Sequence, residues 1–296
     1  NKNVFICDAG TNCEMAVWSP RLKKIFTTSS AAGPAFEAQG IECGMSSSCG
    51  AVEKVSFDGD RAKLSVIGGG KPCGICGSGL LSAVSAFYKK EIISADGTFL
   101  ENAAYTKTDE GMINAADVKT AAGMTNPVTL SDGKFFLSEK VYLSQNDIRN
   151  FQLAKSAVRT GLEVLCRAVS DVGGTRENAV ADVGGTSTSA VASSASEPPL
   201  TENAVLFLCG GFGSHLNIKD ALVTGMIPDL FGKNGERAFN MGNTALYGAS
   251  LFLTDGTLDG SICKKICGLF KDSEYINLSE DEGFQELFIK NLGLPE

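Results

Sequence analysis

The sequence predicts an α/β fold in which helices flank a mixed sheet. A short apolar strand at residues 4–7 runs into a polar turn at 8–11 and then into a second strand at 14–18. Near the other end of the chain, the fully apolar stretch 204–209 ends in two glycines and opens a helix. Between them, residues 144–170 carry apolar side chains at steps of three and four, which is typical of an amphipathic helix.

Composition and charge exclude several functional classes. The 296 residues are 43% hydrophobic and 20% charged, as in ordinary globular proteins, and the net charge is −8. An acidic chain without a long basic run matches phosphate backbones poorly, so we expect no nucleic-acid partner. No apolar run approaches the roughly 18 residues of a membrane span, and the first residues lack a signal-peptide pattern. The sequence therefore predicts a cytoplasmic protein without a membrane partner.

Two predicted strands and a helix follow the first hairpin. Residues 52–57 and 62–67 alternate between apolar and polar side chains across a turn, as expected of paired strands. The glycine-rich turn 74–79 leads into a predicted helix over 80–90. Residues 101–134 are polar and irregular, so hairpins and loops are expected there.

The clearest helix signal lies at 144–170. Ser144 is a predicted N-cap and Asp147 stands near the N3 position, the arrangement of a capping box. We expect the helix to pack along its whole length, because its apolar positions form one stripe. These positions are Ile148, Phe151, Ala154, Val158, Leu162, Leu165 and Val169.

Residues 171–203 differ in composition from the rest of the chain. They are rich in Ala, Ser, Gly and Thr and repeat the sequence Asp-Val-Gly-Gly-Thr at 171–175 and 182–186. We interpret this segment as a flexible insertion within one domain that spans residues 1–258. The remaining residues, 259–296, are predicted as an acidic helical tail.

The turn between the first two strands is the first candidate for chemistry. Gly10 permits the positive φ that a tight turn requires. The backbone N–H groups of the turn, the Thr11 hydroxyl and Asn12 can then face a phosphate, and Asp8 can hold Mg²⁺ directly or through water. An ordinary hairpin turn explains the same residues, so the motif alone leaves both interpretations open.

The second candidate is the glycine-rich turn after the apolar strand 204–209. An apolar strand that ends in glycines and opens a helix brings backbone flush against a ligand, such as a stacked purine. The candidate ligand-binding residues are Gly210, Gly211, Gly213 and Ser214. The spacing is neither a dinucleotide-binding fingerprint nor a P-loop, and a tight strand-to-helix connection is the alternative explanation.

The ten cysteines predict reduced, buried thiols rather than a metal centre. Cys7, Cys166 and Cys209 lie in hydrophobic runs, where a thiol behaves as a small apolar side chain. The single C-x-x-C, Cys73 to Cys76, does not complete a zinc ribbon or a plant-type iron–sulfur site. One histidine in the chain also excludes a multi-histidine metal site.

Several further residues have both a functional and a structural interpretation. Glu37 could orient a water or a metal ion, and the turn 74–79 could bind an anion at a helix start or serve only as a packing turn. Cys73 and Cys76 could relay electrons, although glycine-rich packing explains them better. The remaining candidates are Arg149, Gln152 and Lys155, which face either a phosphate, a partner or solvent, and His215, which is expected to be a surface or capping residue.

Taken together, the two glycine-containing turns resemble the layout of the sugar kinase/Hsc70/actin superfamily. In that superfamily an early hairpin holds phosphates and a late Gly-Gly turn holds adenosine. The chain resembles more specifically the C-terminal region of the reductive activators of corrinoid proteins, over roughly residues 4–255. The matching segments are Asp8 to Glu14, Ser30 to Glu37, Gly44-Met45, Gly50 to Val52, Gly74 to Leu80, Ser144 to Lys155, Cys209 to Ser214 and Met241 to Asn243.

The resemblance implies an actin-like ATPase lobe of ribonuclease H-like fold that binds ATP and Mg²⁺. It implies that Asp8, Gly10, Thr11 and Asn12 lie at the phosphates and that the Gly210–Ser214 turn lies at the adenosine. Such proteins use ATP to drive one-electron reduction of a Co(II) corrinoid protein to Co(I), and they are often homodimers. Their iron–sulfur cluster lies in an N-terminal part that this chain lacks, and we expect the first ATPase lobe to be missing as well.

The resemblance assigns no catalytic residue, and it leaves two alternative functions. One is a small-molecule kinase of the same superfamily, and the other is a non-catalytic docking or dimerisation scaffold. Cys13 favours the scaffold, because the family usually has glycine after Thr-Asn. A side chain at a turn position that requires positive φ would be expected to tilt Glu14.

Overall fold

Strands from both ends of the chain meet in one mixed sheet. The computed structural model describes residues 2–58, 61–100, 125–127, 129–131, 133–170, 204–256 and 260–295. Within these residues the main sheet has six strands in the order β12-β11-β1-β2-β3-β13. They are β1 (Asn3–Ala9), β2 (Cys13–Ser19), β3 (Lys24–Ser30), β11 (Ala204–Cys209), β12 (Ala238–Asn240) and β13 (Ser273–Tyr275).

The sheet is mixed because two of its ladders run antiparallel and three run parallel. Strands β1, β2 and β3 form an antiparallel meander, whereas β11 lies parallel to β1, β12 lies parallel to β11 and β13 lies parallel to β3. A parallel pair needs a long crossover, and the chain between β1 and β11 provides it. The predicted mixed α/β architecture is therefore confirmed. Strands β3, β12 and β13 had no counterpart in the prediction.

The long predicted helix is α2 (Gln145–Ser170), which packs on β2 and β3. All seven residues of its predicted apolar stripe are buried. The Asp147 amide donates to Ser144 Oγ at 3.2 Å, and the Ser144 amide donates to Asp147 Oδ2 at 2.8 Å. The predicted capping box thus closes the helix start, because each side chain accepts from the other residue's backbone.

Two smaller sheets and a second helix lie between β3 and β11 in the chain. Strand β4 (Ala51–Asp58) pairs with β5 (Arg61–Val66) and β6 (Gly74–Ile75), and α1 (Gly77–Lys89) packs on β4. The remaining short strands are β7 (Thr125–Pro127), which pairs with β5, and β8 (Thr129–Ser131), β9 (Lys134–Phe136) and β10 (Tyr142–Ser144), which pair with one another.

After β11 the chain forms two short helices that contact α1. They are α3 (Gly210–Gly213) and α4 (Ile218–Val223). Asp220 of α4 is nearly buried, and its Oδ1 accepts from Ser85 Oγ at 2.7 Å and from Lys89 Nζ at 3.1 Å. This contact fixes the turn after β11 against α1, and two walls of the candidate site are thereby held together.

The last part of the chain adds a strand and helices to the same body. Helices α5 (Thr244–Gly256) and α6 (Ser261–Lys271) contact each other, and α7 (Phe284–Lys290) packs on α2. The predicted acidic tail 259–296 is therefore helical in part but also supplies β13. The predicted insertion at 171–203 lies outside the described residues, so the proposed domain division remains a prediction. No helix in the described ranges is long and apolar enough to cross a membrane.

Candidate functional site

The parallel pairing of β1 with β11 places both predicted turns at the same edge of the sheet. Asp8 of β1 lies opposite Cys209 of β11 in the register. Strand β11 ends at Cys209 and β1 ends one residue after Asp8, so the turn 10–12 and the turn that begins at Gly210 leave the sheet side by side. Ligands of α/β sheets bind beyond the carboxyl ends of parallel strands, and both candidate motifs lie there.

Gly210 is in contact with Asp8. A β-carbon built on Gly210 would stand 2.1 Å from Asp8 Oδ1 and 3.2 Å from the Ala9 carbonyl oxygen. The φ of Gly210 is +82°, in the region that favours glycine. Glycine is therefore required here for two reasons, backbone conformation and space for the Asp8 carboxylate.

The backbone of the first turn differs from the expectation at two positions. Gly10 does not have a positive φ, and its amide donates to the Asn12 carbonyl oxygen at 3.1 Å. Cys13 does not have a positive φ either, because it is already the first residue of β2 and pairs with Ala9. The expected tilt of Glu14 through a strained Cys13 is thus wrong: the turn is closed by residues 10–12 alone.

A short 3₁₀ turn, Pro34–Glu37, lies over the first hairpin. Thr11 Oγ1 donates to Glu37 Oε1 at 2.7 Å, and the Gly33 amide donates to the Thr11 carbonyl oxygen at 2.9 Å. The sequence analysis identified Glu37 as a candidate but did not predict its contact with Thr11. The two residues are 26 positions apart, and only the return of β3 brings them together.

A cavity of about 340 Å³ opens between these turns and the start of α1. Gly10 lines it from the hairpin, Glu37 from the 3₁₀ turn, Ser78 from α1, and Gly211 from the turn after β11. The other lining residues are Ala9, Phe36, Met45, Ser46, Ser47, Gly77, Phe212 and His215. The volume lies at the lower end of the range of small-molecule sites.

Aromatic stacking and close glycine contacts hold the cavity walls in place. Phe36 and Phe212 are stacked with ring centroids 4.4 Å apart and planes 6° apart. A β-carbon on Gly77 would lie 1.8 Å from the Phe36 carbonyl oxygen and 3.2 Å from Phe212. The 3₁₀ turn, the turn after β11 and the start of α1 therefore meet at one point. The lack of space around Gly77 explains why α1 begins with glycine.

A second cavity of about 410 Å³ adjoins the first along Ser47, Ser78 and His215, which line both. Its other walls are polar and come mainly from β4, β5 and α1, with Glu53, Lys54, Ser65, Ser82 and Asn217 among them. From the sequence, His215 was expected to be a surface or capping residue. The structure places it at the junction of the two cavities, a position that no sequence pattern predicted.

The remaining predicted binding residues shape the turns rather than line the cavity. Asn12 accepts from Gly10, and the Ser214 hydroxyl donates to the Gly211 carbonyl oxygen at 3.2 Å. A β-carbon on Gly213 would lie 3.4 Å from the Leu208 backbone. The sequence analysis missed Asn240, whose Nδ2 donates to the carbonyl oxygens of Gly213 at 2.6 Å and Leu216 at 3.0 Å. Asn240 therefore clamps the turn from the neighbouring strand.

Buried thiols lie directly beneath the hairpin. The Sγ atoms of Cys7 and Cys13 are 3.3 Å apart, and both residues are fully buried. The hydrogen bond with Cys7, together with burial, holds the pKa of the Cys13 thiol well above its usual range. Burial likewise raises the pKa of Cys209. Cys7 and Cys209 are buried core residues, as predicted, whereas Cys166 is half-buried.

The carboxylates at the site fit Mg²⁺ better than a metal that needs a closed protein cage. Asp8 and Glu37 are hard oxygen donors on either side of the hairpin. In the described part of the chain, no three acidic, histidine or cysteine side chains converge on one point. Mg²⁺ commonly uses one or two carboxylates and completes its shell with phosphate oxygens and water, which this arrangement allows.

The polar face near the start of α2 does not reach the candidate site. Gln152 Nε2 donates to the carbonyl oxygens of Asp96 at 2.9 Å and Leu292 at 3.0 Å, and Lys155 Nζ donates to Gly293. Arg149 Nη1 also donates to the Asp96 carbonyl oxygen, at 2.5 Å. For Gln152 and Lys155 the expectation of phosphate, partner or solvent contact is therefore wrong, because these buried side chains bind the C-terminal segment and a neighbouring turn. Arg149 is exposed, in agreement with a solvated helix face.

Cys73 and Cys76 occupy different environments. Cys76 is buried and its Sγ donates to the Val52 carbonyl oxygen at 3.3 Å, whereas Cys73 is exposed. β-Carbons on Gly74 and Gly79 would lie 2.7 Å and 2.0 Å from the carbonyl oxygens of Cys43 and Val52. Close packing thus accounts for this glycine-rich turn, in agreement with the structural interpretation of its residues.

Comparison with known proteins identifies related sequences over the whole chain. A family model described as the C-terminal domain of RACo, the ASKHA domain, matches residues 2–195 and 199–296. The corrinoid activation enzyme RamQ of Eubacterium limosum is 28% identical over 287 residues, which is 97% of this chain and 42% of that protein.

A solved structure shares the fold. A reductive activator for corrinoid, iron–sulfur protein superposes with a TM-score of 0.71 at 24% identity, over 100% of this chain and 40% of the other. The chain thus spans about two fifths of the length of the relatives that it matches. The predicted actin-like architecture agrees with this superposition.

Proposed function

Because the chain belongs to the family of the C-terminal ASKHA domain of RACo, we propose that it is the nucleotide-binding region of an ATP-dependent reductive activator. Such an activator returns an inactive Co(II) corrinoid protein to Co(I). The cavity shared by the hairpin after β1 and the turn after β11 is the observation that carries the proposal. The relatives support it, since one is a corrinoid activation enzyme and another is a reductive activator.

In this proposal the two turns divide the nucleotide between them. Asp8, Gly10, Thr11 and Asn12 lie on the phosphate side, where backbone N–H groups and the start of α1 favour negative charge. The turn formed by Gly210, Gly211, Gly213 and Ser214 lies on the adenosine side. The open space above Gly211 supports this, because a β-carbon there would meet nothing within 4 Å. Mg²⁺ would be held through water by Asp8 and would neutralise phosphate charge.

The role of the nucleotide is to shift a conformational equilibrium. ATP would favour a conformation that docks the corrinoid protein and alters the cobalt ligation, so that an otherwise uphill one-electron reduction becomes possible. A ligand shifts such an equilibrium only by its differential affinity for the two states. In this proposal the electron would come from an iron–sulfur cluster outside this chain, as the resemblance to the reductive activators implies.

A homodimer is the second part of the proposal. Helices α5 and α6 expose large apolar side chains, and α6 has no buried residue. Exposed apolar patches of this kind mark interaction surfaces, and a standard interface buries roughly 800 Å² per partner. The residues are Leu246, Tyr247, Phe252, Leu253, Ile262, Leu269 and Phe270. Light scattering with Leu246→Asp/Leu253→Asp, against Ile289→Asp on α7, tests this surface.

Calorimetric titration with Mg-ATP, Mg-ADP and metal-free nucleotide tests the nucleotide site. We expect saturable binding that requires the metal and is lost in Asp8→Ala. Asp272→Ala, an exposed carboxylate at the end of α6, is the matched control and should bind as the wild type does. Phosphorylation of a sugar or acid would instead support the kinase alternative. An Asp8→Ala chain that binds unchanged would contradict the role of Asp8 at the phosphates. No binding at millimolar nucleotide would mean that this chain forms only half of the nucleotide cleft.

A further inference from the structure

Glu37 lines the cavity, whereas Asp8 does not border it directly and lies behind Gly210. Glu37 lines the cavity wall together with Gly10 and Ser78. The Asp8 carboxylate is instead directed at Gly210, and Asp8 does not line the cavity. The two acidic residues of the site therefore have different tasks, because only one of them borders the space in which a ligand would lie.

The position of Glu37 is fixed from three directions. Its Oε1 accepts from Thr11 Oγ1 at 2.7 Å, so the carboxylate is tied to the hairpin. The preceding residue, Phe36, is buried and stacked on Phe212. The following residue, Ala38, has a φ of +60°, a backbone conformation that residues other than glycine rarely adopt. Such strained residues cluster at functional sites, where surrounding structure holds them.

The start of α1, which lines the same cavity, suits phosphate, whereas Glu37 itself does not. Gly77 and Ser78 belong to the first turn of α1, where the helix dipole favours an anion. A carboxylate beside a polyanion repels it, so Glu37 cannot serve as a binding group for the phosphates. A carboxylate in this place is useful when it accepts a proton or a hydrogen bond from water.

We propose that Glu37 is the catalytic carboxylate that orients and deprotonates the water attacking the terminal phosphoryl group of ATP. The inference rests on the proposed function, because it assumes that ATP occupies the cavity. In this step the water oxygen bonds to the terminal phosphorus and a proton passes to Glu37. The bond between that phosphorus and the bridging oxygen breaks, and its electron pair leaves with ADP. Glu37 then releases the proton to solvent.

The decisive variant is Glu37→Gln. A glutamine oxygen still accepts from Thr11 Oγ1, so the hairpin contact is kept while the basic group is lost. Glu42→Gln is the matched control, because Glu42 follows closely in the chain but is paired with Lys134 at 2.7 Å and does not line the cavity. Thermal unfolding of both variants shows that the domain is intact.

Two measurements follow, the affinities for ATP and ADP and the release of phosphate from ATP. Loss of a general base lowers turnover about 10²- to 10⁴-fold, so we expect this fall in Glu37→Gln. We also expect ATP binding to tighten roughly two- to fivefold relative to ADP binding, the effect of removing one exposed charge contact. The control should change neither quantity.

The two readouts separate failure of this inference from failure of the proposed function. Wild-type protein that binds neither nucleotide contradicts the proposed function and this assignment with it. Wild-type protein that binds ATP, with a Glu37→Gln chain that keeps the same ATP-to-ADP affinity ratio, contradicts only the assignment. The affinity ratio decides the matter even where turnover is too slow to follow. Loss of Mg²⁺-dependent binding in Glu37→Gln would overturn the base role and make Glu37 a metal ligand.

Discussion

Gly210 and Asp8 are fitted to each other, although 202 positions separate them in a chain of 296 residues. A β-carbon on Gly210 would stand 2.1 Å from Asp8 Oδ1, and the Gly210 backbone has a φ of +82°. Both candidate turns therefore depend on one contact across the β1–β11 ladder. Displacing either residue would disturb the phosphate side and the adenosine side of the proposed site together.

Gly210→Ala is expected to destabilise the protein. The left-handed backbone alone costs about 1–2 kcal/mol for a residue with a β-carbon, and the contact with Asp8 adds to this. Gly211→Ala is the matched control, because its β-carbon would meet nothing within 4 Å. Urea unfolding should show a lower midpoint for the first variant only, and nucleotide titration should show weaker binding for both. Equal midpoints would contradict the described contact.

Lys155 predicts a pH dependence of stability. Burial, followed by repulsion from Arg159, lowers the pKa of Lys155 to about 7, against about 10.4 for an unfolded chain. Between these values the unfolded chain binds more protons, so stability rises with pH from about 7 to 10. Lys155→Met should remove this rise, whose slope is at most about 1.4 kcal/mol per pH unit.

The measurement is urea unfolding of wild type and Lys155→Met at several pH values in this range. Exposed Lys90 gives the control, and Lys90→Met should keep the wild-type slope. Loss of the bond to Gly293 will also lower the stability of Lys155→Met at every pH, so the slope and not the absolute value is decisive. Parallel curves for wild type and Lys155→Met would contradict the buried amine.

Gly77→Ala tests the packing of α1 against the site. Its β-carbon would lie 1.8 Å from the Phe36 carbonyl oxygen, so either α1 or the 3₁₀ turn must move. Overpacking of this kind costs about 1–3 kcal/mol. Gly268→Ala in α6 has open space and should stabilise by up to about 1 kcal/mol, because alanine is the better helix former. Calorimetric melting of both variants checks the opposite signs.

Leu294→Ala tests whether the end of the chain is docked. Leu294 is buried in the main core, and its amide donates to the Ala95 carbonyl oxygen at 2.7 Å. Truncation of a buried leucine costs about 2–5 kcal/mol. Ile289→Ala, at a residue that is 67% exposed, should change stability by less than about 0.5 kcal/mol. Similar unfolding free energies for both variants would show that the C-terminal segment is not part of the core.

Elements with a strong local pattern were predictable from the sequence. The stripe and capping box of α2, the apolar strand β11 and the first hairpin depend on neighbours a few residues apart. The predicted bounds of β11 match the structure, and those of α2 and the first hairpin differ from it by one or two residues, as helix and strand ends usually do. The same locality explains why both candidate turns were recognised.

Contacts between distant residues were not predictable. The contact of Glu37 with Thr11 was missed, because it depends on the course of β3, a strand that the prediction omitted. Gln152 and Lys155 resembled a functional face, because the sequence does not reveal that carbonyl groups of residues 292 and 293 lie on them. The role of Asn240 was missed for the same reason, since its side chain binds the carbonyl oxygens of Gly213 and Leu216, which lie far from it in the sequence.

The position of β13 at the edge of the sheet has a consequence for biosynthesis. Its residues 273–275 pair with residues 25–27 of β3, so β3 stays an open edge until β13 has been made. Ribosomes add about 5–20 residues per second, so the edge would stay uncovered for tens of seconds. Unpaired edges invite pairing with other chains, so the domain depends on β13 to end that exposure.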